Sequence, residues 1–185
     1  PKRLFVIKHG EQYVGCMGLH DGLTADMFSK DARVKTMIDS YHPGTRVGEQ
    51  GVFVIEHFCP GVPLLIALVS EYAHYCGIQK IAYAAIDVSR KTIDRLGYRV
   101  DVCGVVDLDT FPVSERPNYV RWHTMHNPLL CILDTTDAPR IASELPPSIT
   151  RRVRLSGKLY TTMTHCRLNT SLRAVAKNAP PAPRS

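Results

Sequence analysis

An acidic side chain inside an apolar strand is the first pattern in this chain that points to chemistry. Phe53-Val54-Ile55-Glu56-His57-Phe58 runs from Gly51 into Cys59-Pro60-Gly61, and a short β-branched and aromatic run ending in a turn reads as a buried strand. Alternate side chains share a strand face, so Glu56 lies on the same side as Val54 and offers a carboxylate able to take a proton. A strand-end glutamate reaching water or a basic neighbour explains the residue equally well. His57 supplies an imidazole that donates one hydrogen bond, without the paired and permanently charged fork of an arginine. A structural histidine is the simpler reading.

Two further groups follow. Gly61 and Val62 stand where the strand enters a helix, and the N–H groups of Val62, Leu64 and Leu65 are expected to be free at that positive helix end. Pro60 and Pro63 remove two donors, so a plain tight turn competes with a binding role. Tyr83, Ala85 and Asp87 alternate to one face near the end of the next strand, and the carboxyl ends of parallel strands are where such sheets place ligands. The small Ala82, Ala84 and Ala85 leave room for a ligand chain or for flanking helices, and packing is preferred.

The elements that must position these groups form a strand-helix-strand-helix-strand unit over Gly51–Tyr98. Pro63 suits the first helical turn, Leu64, Leu65, Leu68, Tyr72 and Tyr75 recur at helical steps, and Gly77 ends the helix. A strand over Ile78–Val88 follows, then a helix over Arg90–Leu96 capped by Ser89 and stopped by Gly97. Crossovers of about 10 to 14 residues favour parallel pairing of the first two strands with a right-handed connection. Upstream, Leu4–Ile7 and Tyr13–Leu19 flank a glycine-containing turn and read as a hairpin. Thr24 or Asp26 is expected to cap a short helix, Asp31–Asp39 to form another, and Tyr41–Gly51 to be an exposed loop. Downstream, strands are expected at Tyr98–Val106, Tyr119–Thr124 and Leu129–Asp134, and a helix at Ala138–Leu145.

Composition bounds the rest. A chain of 185 residues buries about two thirds of its unfolded surface and needs no staple. Its six cysteines include no pair spaced for zinc, which favours a reduced, cytoplasmic protein. His123 and His126 are close in sequence but lack an evident third ligand, so no metal is expected. No apolar run is long enough for a membrane span. The +6 charge is concentrated in residues 151–185, which hold eight Lys or Arg and no Asp or Glu. That stretch reads as a basic tail, disordered at least beyond Asn178, on a nearly neutral body of residues 1–150.

The element order, with Gly15-Cys16-Met17-Gly18-Leu19, then Phe53 to Cys59, then Arg95-Leu96-Gly97, resembles the acyl-homoserine lactone synthases, or autoinducer synthases, of the GNAT superfamily. The resemblance covers roughly Tyr13 to Gly104. It implies an α/β GNAT-like acyltransferase fold, a mixed central sheet flanked by helices. Gly18 stands where the family places an arginine, and Val54 and His57 stand where it has a glutamate and another arginine. The family's N-terminal segment has no counterpart before Pro1. The resemblance implies acyl transfer from an acyl-carrier-protein or CoA thioester to an amine such as that of S-adenosylmethionine, with no tightly bound cofactor. For that chemistry Glu56, two residues beyond Val54 on the same strand face, is the candidate base with His57 beside it, and Phe53 and Phe58 are the surviving aromatic residues of the family pattern. Gly61 and Val62 would lie near the pantetheine arm, and the basic tail could meet an acidic carrier. A monomer or weak dimer is expected. Two other readings stand: a catalytically silent member of the fold that binds a ligand or protein, and nucleic-acid attachment through the tail, the latter less favoured.

Overall fold

Two antiparallel strands, β1 (Arg3–His9) and β2 (Gln12–Asp21), open the fold as the apolar runs around Gly10 require. The structure is a computed structural model that describes residues 3–9, 12–55 and 61–145. The remaining strands are β3 (Val47–Ile55), β4 (Lys80–Ala85), β5 (Val100–Val105) and β6 (Leu129–Asp134). They form one six-stranded mixed sheet in the order β1-β2-β3-β4-β6-β5. β3 and β4 are parallel because a helical crossover joins them, and β6 inserts between β4 and β5, antiparallel to both.

Helices cover the sheet on both sides. On one face α3 (Val62–Tyr75), α4 (Asp87–Leu96) and α6 (Ala138–Glu144) bury Met17, Leu19, Ile81, Tyr83, Cys131 and Leu133. On the other, α1 (Asp26–Ser29), α2 (Ala32–Asp39) and α5 (Arg116–His126) close a smaller cluster around Ala82, Leu130 and Ile132. The Asp31 carboxylate caps α2, accepting the N–H groups of Arg33 at 2.8 Å and Val34 at 3.3 Å. Gly97 ends α4 at a positive φ of 81°, where a side chain would be strained.

The β2–β3 register contains an irregularity that matters for the site. Met17 pairs with Phe53 and Leu19 with Gln50, so β3 carries an extra residue between them. This reverses the side-chain alternation: Glu49 faces the segment leading into α1, whereas Phe53 packs on the α3 side.

Four expectations need correction. Tyr119–Thr124 is not a strand but lies in α5: Pro117 sits in its first turn, Asn127 ends it in a left-handed conformation, and Tyr119 stacks on Phe111 at 4.2 Å. Helical spacing also brings Trp122 edge-on to Tyr119. The strand after α3 stops at Ala85, because the Ser89 hydroxyl accepts the Ile86 N–H at 3.1 Å and donates to the Ile86 carbonyl at 2.8 Å, turning the chain into α4 earlier than expected. The loop after Tyr41 ends at Val47, so Glu49 is a strand residue, 3% exposed. Neither Thr24 nor Asp26 caps α1; its N-cap is Ala25, without a side-chain bond.

Candidate active site

Among the described residues the sheet opens between β3 and β4. β3 and β4 pair only through Val47–Lys80, Gly48–Ile81 and Glu49–Ala82. β3 then follows β2 as far as Ile55, and β4 follows β6 as far as Ala85. Among the described residues no later pair joins them, so the facing backbone edges of the two strands separate. Edge N–H and C=O groups seek partners, and an extended amide-bearing arm laid between two strand edges supplies them.

The residues expected at this site fall into separate groups. Phe53 is half-buried on the α3 side, across from Met17. Gly61 is buried and precedes α3 with φ −81°, an ordinary conformation, and Val62 is the first helical residue. The Leu65 N–H is not free, because it closes the first turn on the Gly61 carbonyl at 2.9 Å. Tyr83 and Ala85 are both 2% exposed and lie on the α3 and α4 side. The Tyr83 hydroxyl is buried without a hydrogen-bond partner of regular geometry. Its cross-strand neighbour is Cys131, whose thiol burial pushes up to about 11, and burial likewise raises the phenol. Both stay protonated at neutral pH.

Asp87 does not share that face. It is the exposed first residue of α4, held by Lys91 at 2.5 Å and Arg90 at 3.5 Å, and the Lys91 bond lowers its pKa. Ala82 and Ala84 belong to the opposite cluster, which supports the packing explanation for the alanines. Glu56, His57 and Phe58 lie outside the described residues, as do residues 146–185.

A group that sequence reasoning passed over sits where the strands part. The Glu49 carboxylate accepts the N–H of Thr24 at 2.5 Å, that of Ala25 at 2.8 Å and the Thr24 hydroxyl at 3.2 Å. Thr24 Oγ1 lies 3.4 Å from Nδ1 of His20, which pairs with Glu49 across β2 and β3. The available signal was an acid between two glycines, Gly48-Glu49-Gln50-Gly51, which suits a strand approached closely by other groups. It also changes the reading of Glu56, since Glu49 is an acidic residue inside β3 itself. Among the described residues no cluster of His, Cys, Asp and Glu is placed to hold a metal, and no helix is long and apolar enough to cross a membrane.

No protein-family model matches the chain, and no curated protein matches it in sequence. Solved structures do match. MesI, a CoA-dependent acyl-homoserine lactone synthase, aligns with a TM-score of 0.54 at 16% identity over 84% of this chain and 70% of its own. BjaI, another CoA-dependent acyl-homoserine lactone synthase, solved with SAM and isopentyl-CoA, gives 0.51 at 14% identity over 76% and 64%. FeeM, an N-acyl amino acid synthase from uncultured soil microbes, gives 0.51 at 16% identity over 75% of each chain. At such identities the likeness is one of fold. The chain has the GNAT-like acyltransferase fold, with a mixed sheet flanked by helices.

Proposed function

We propose that this protein is an acyltransferase that moves an acyl group from a CoA or acyl-carrier-protein thioester to an amine, with S-adenosylmethionine the first acceptor to test. The observation that carries the reading is the parting of β3 and β4 after Glu49 and Ala82. A gap bordered by unpaired backbone can hold the amide-bearing arm of a thioester, and holding the carbonyl beside an amine supplies the proximity such a transfer needs. The likeness to MesI, BjaI and FeeM supports the same chemistry, since all three are synthases of N-acyl products or acyl-homoserine lactones by description.

In this reading Phe53, Gly61, Val62, Tyr83 and Ala85 border the thioester, while Glu56 and His57 are the catalytic candidates suggested by the sequence, Glu56 as base and His57 as hydrogen-bond donor, with Phe58 beside them. Asp87 is retained only as a residue at the outer end of β4. No tightly bound cofactor is invoked, and the protein works in the cytoplasm as a monomer or weak dimer. The tail, 151–185, would favour an acidic carrier protein as partner.

A second reading, ligand binding without turnover, is favoured by Gly18, a residue with no side chain where the resemblance places an arginine. One assay separates the two. The full chain is mixed with acyl-CoA or acyl-carrier-protein thioesters and S-adenosylmethionine, and thiol release and N-acyl product are followed by mass spectrometry. Product formation supports the enzyme; thioester binding without product supports the silent binder; the absence of both product and binding overturns both readings.

A further inference from the structure

The hydrogen-bond directions around Glu49 determine which nitrogen of a neighbouring imidazole carries its proton. The carboxylate only accepts, and it takes the single proton of the Thr24 hydroxyl at 3.2 Å. Toward His20 Nδ1, 3.4 Å away, that hydroxyl therefore presents only lone pairs, so Nδ1 must be the protonated nitrogen. Nε2 is left with its lone pair. A carboxylate bonded directly to Nδ1–H holds the tautomer of the histidine base in a Ser-His-Asp triad, and here the Thr24 hydroxyl stands between the two groups.

The place of that lone pair is also fixed. A Cβ on Gly51 would stand 2.9 Å from His20 Nε2, 3.0 Å from its Cδ2 and 3.7 Å from the Gly18 Cα. The ring lies on bare backbone that Gly51 leaves uncovered, beside Gly18. Gly51 belongs to the part of β3 that has already left β4. His20 Nε2 thus lies over the part of β3 whose other edge borders the gap. We propose that His20, rather than Glu56, is the proton acceptor for the amine in the acyl transfer, with Thr24 and Glu49 as positioning residues; this rests on the acyl transfer proposed above.

The step balances as follows. The amine lone pair attacks the thioester carbonyl carbon and forms the C–N bond while Nε2 takes one N–H proton. The C–S bond breaks, and the imidazolium returns that proton to the departing sulfur, giving an amide and a free thiol. Glu49 is the cross-strand partner of His20, and both side chains meet the Thr24 hydroxyl. Asp21, next along β2, is held by Arg46 at 2.6 Å, and Arg46 also donates to the Cys76 carbonyl at the end of α3.

Two measurements on the full-length chain test this. The first is the tautomer of His20 by nitrogen-15 NMR: the Nδ1–H form is expected in the wild type and loses its preference in Thr24→Val, whereas an Nε2–H form overturns the proposal. The second is the pH dependence of turnover from one acyl-CoA. His20→Gln should lower kcat by about a hundredfold to ten-thousandfold, leave the thioester KM in place and abolish the acidic limb of the profile. Gly51→Ala, which keeps the histidine but displaces its ring, should lower kcat in the same direction. A His20→Gln protein with unchanged kcat and profile overturns the proposal. A wild type that makes no product from any thioester overturns the acyl-transfer reading itself and takes this proposal with it.

Discussion

Among the described residues Glu49 and Ala82 are the last pair at which β3 and β4 meet, and both strands continue beyond them. Each is held on its far side, β3 by β2 and β4 by β6, so the separation does not depend on a loose strand end. The buried carboxylate of Glu49 adds a third restraint by pinning the segment before α1. The opening is therefore part of the sheet's construction, which is what a site that must exist before its ligand arrives requires.

Tyr83→Phe separates a structural from a ligand-facing hydroxyl. A buried hydroxyl whose neighbour is a thiol, with no hydrogen bond of regular geometry, gains little against the cost of its desolvation. Its removal should leave stability unchanged or raise it by up to about 1 kcal/mol in urea unfolding. If the same hydroxyl bonds the thioester, KM for that substrate rises while stability does not fall. A loss of stability would show that the hydroxyl already has a strong protein partner.

Gly104→Ala should cost about 1–3 kcal/mol. Gly104 sits at an irregularity in β5 with φ 136°, and a Cβ there would stand 2.6 Å from Arg33 Nη1. Arg33 cannot simply withdraw, since its Nη2 donates to the Val105 carbonyl at 2.8 Å and to Asp31 at 2.5 Å. In an Arg33→Ala background the cost of Gly104→Ala should shrink, leaving mainly the backbone strain. Strictly additive losses in the double-mutant cycle would contradict the clash.

Asp31 makes stability depend on acid. The Arg33 hydrogen bond, reinforced by backbone N–H groups and opposed by burial, holds its carboxyl below the usual value. A depressed folded-state pKa contributes stability that is fully present above the unfolded value of about 3.9 and disappears as pH falls through the lower folded value. Asp31→Asn should therefore be less stable than wild type at neutral pH and lose less stability on acidification below about pH 4. Parallel pH curves would count against this assignment.

Lys80 anchors the opposite end of β4. Its Nζ lies 3.2 Å from Asp134 and 3.8 Å from Asp101, and 4.4 Å from the centre of the Tyr41 ring. Lys80→Met leaves the two carboxylates without that cation and should cost about 1–3 kcal/mol near neutral pH. Adding Asp134→Asn should recover part of the loss. No recovery, measured by thermal unfolding, would mean that the lysine acts through its aliphatic stem alone.

The sequence carried much of the architecture because local signals and tertiary order agreed. The runs around Gly10 gave the hairpin, Asp31 the start of α2, the crossover at Pro63 the parallel β3–β4 pair, and Gly97 the end of α4. It failed at Tyr119–Thr124, whose β-branched and aromatic residues suit a strand while their three-residue spacing builds one helix face against Phe111. The His20-Thr24-Glu49 group was not legible. His20 and Glu49 are brought together by the β2–β3 register, and the extra residue of β3 decides which face each later residue takes. The bases suggested by the sequence, Glu56 and His57, lie outside the described residues, so the structure neither seats them at the gap nor removes them from it.

The most direct test of the central claim is to map, by amide chemical shifts, where a non-hydrolysable acyl-pantetheine analogue binds the full chain. The gap account predicts saturable shifts at Gly51–Ile55, Gly61–Val62 and Tyr83–Ala85, with the β1–β2 turn and α5 unaffected. Saturable binding confined to α5 or to residues 151–185, or no binding by a correctly folded protein, would contradict it.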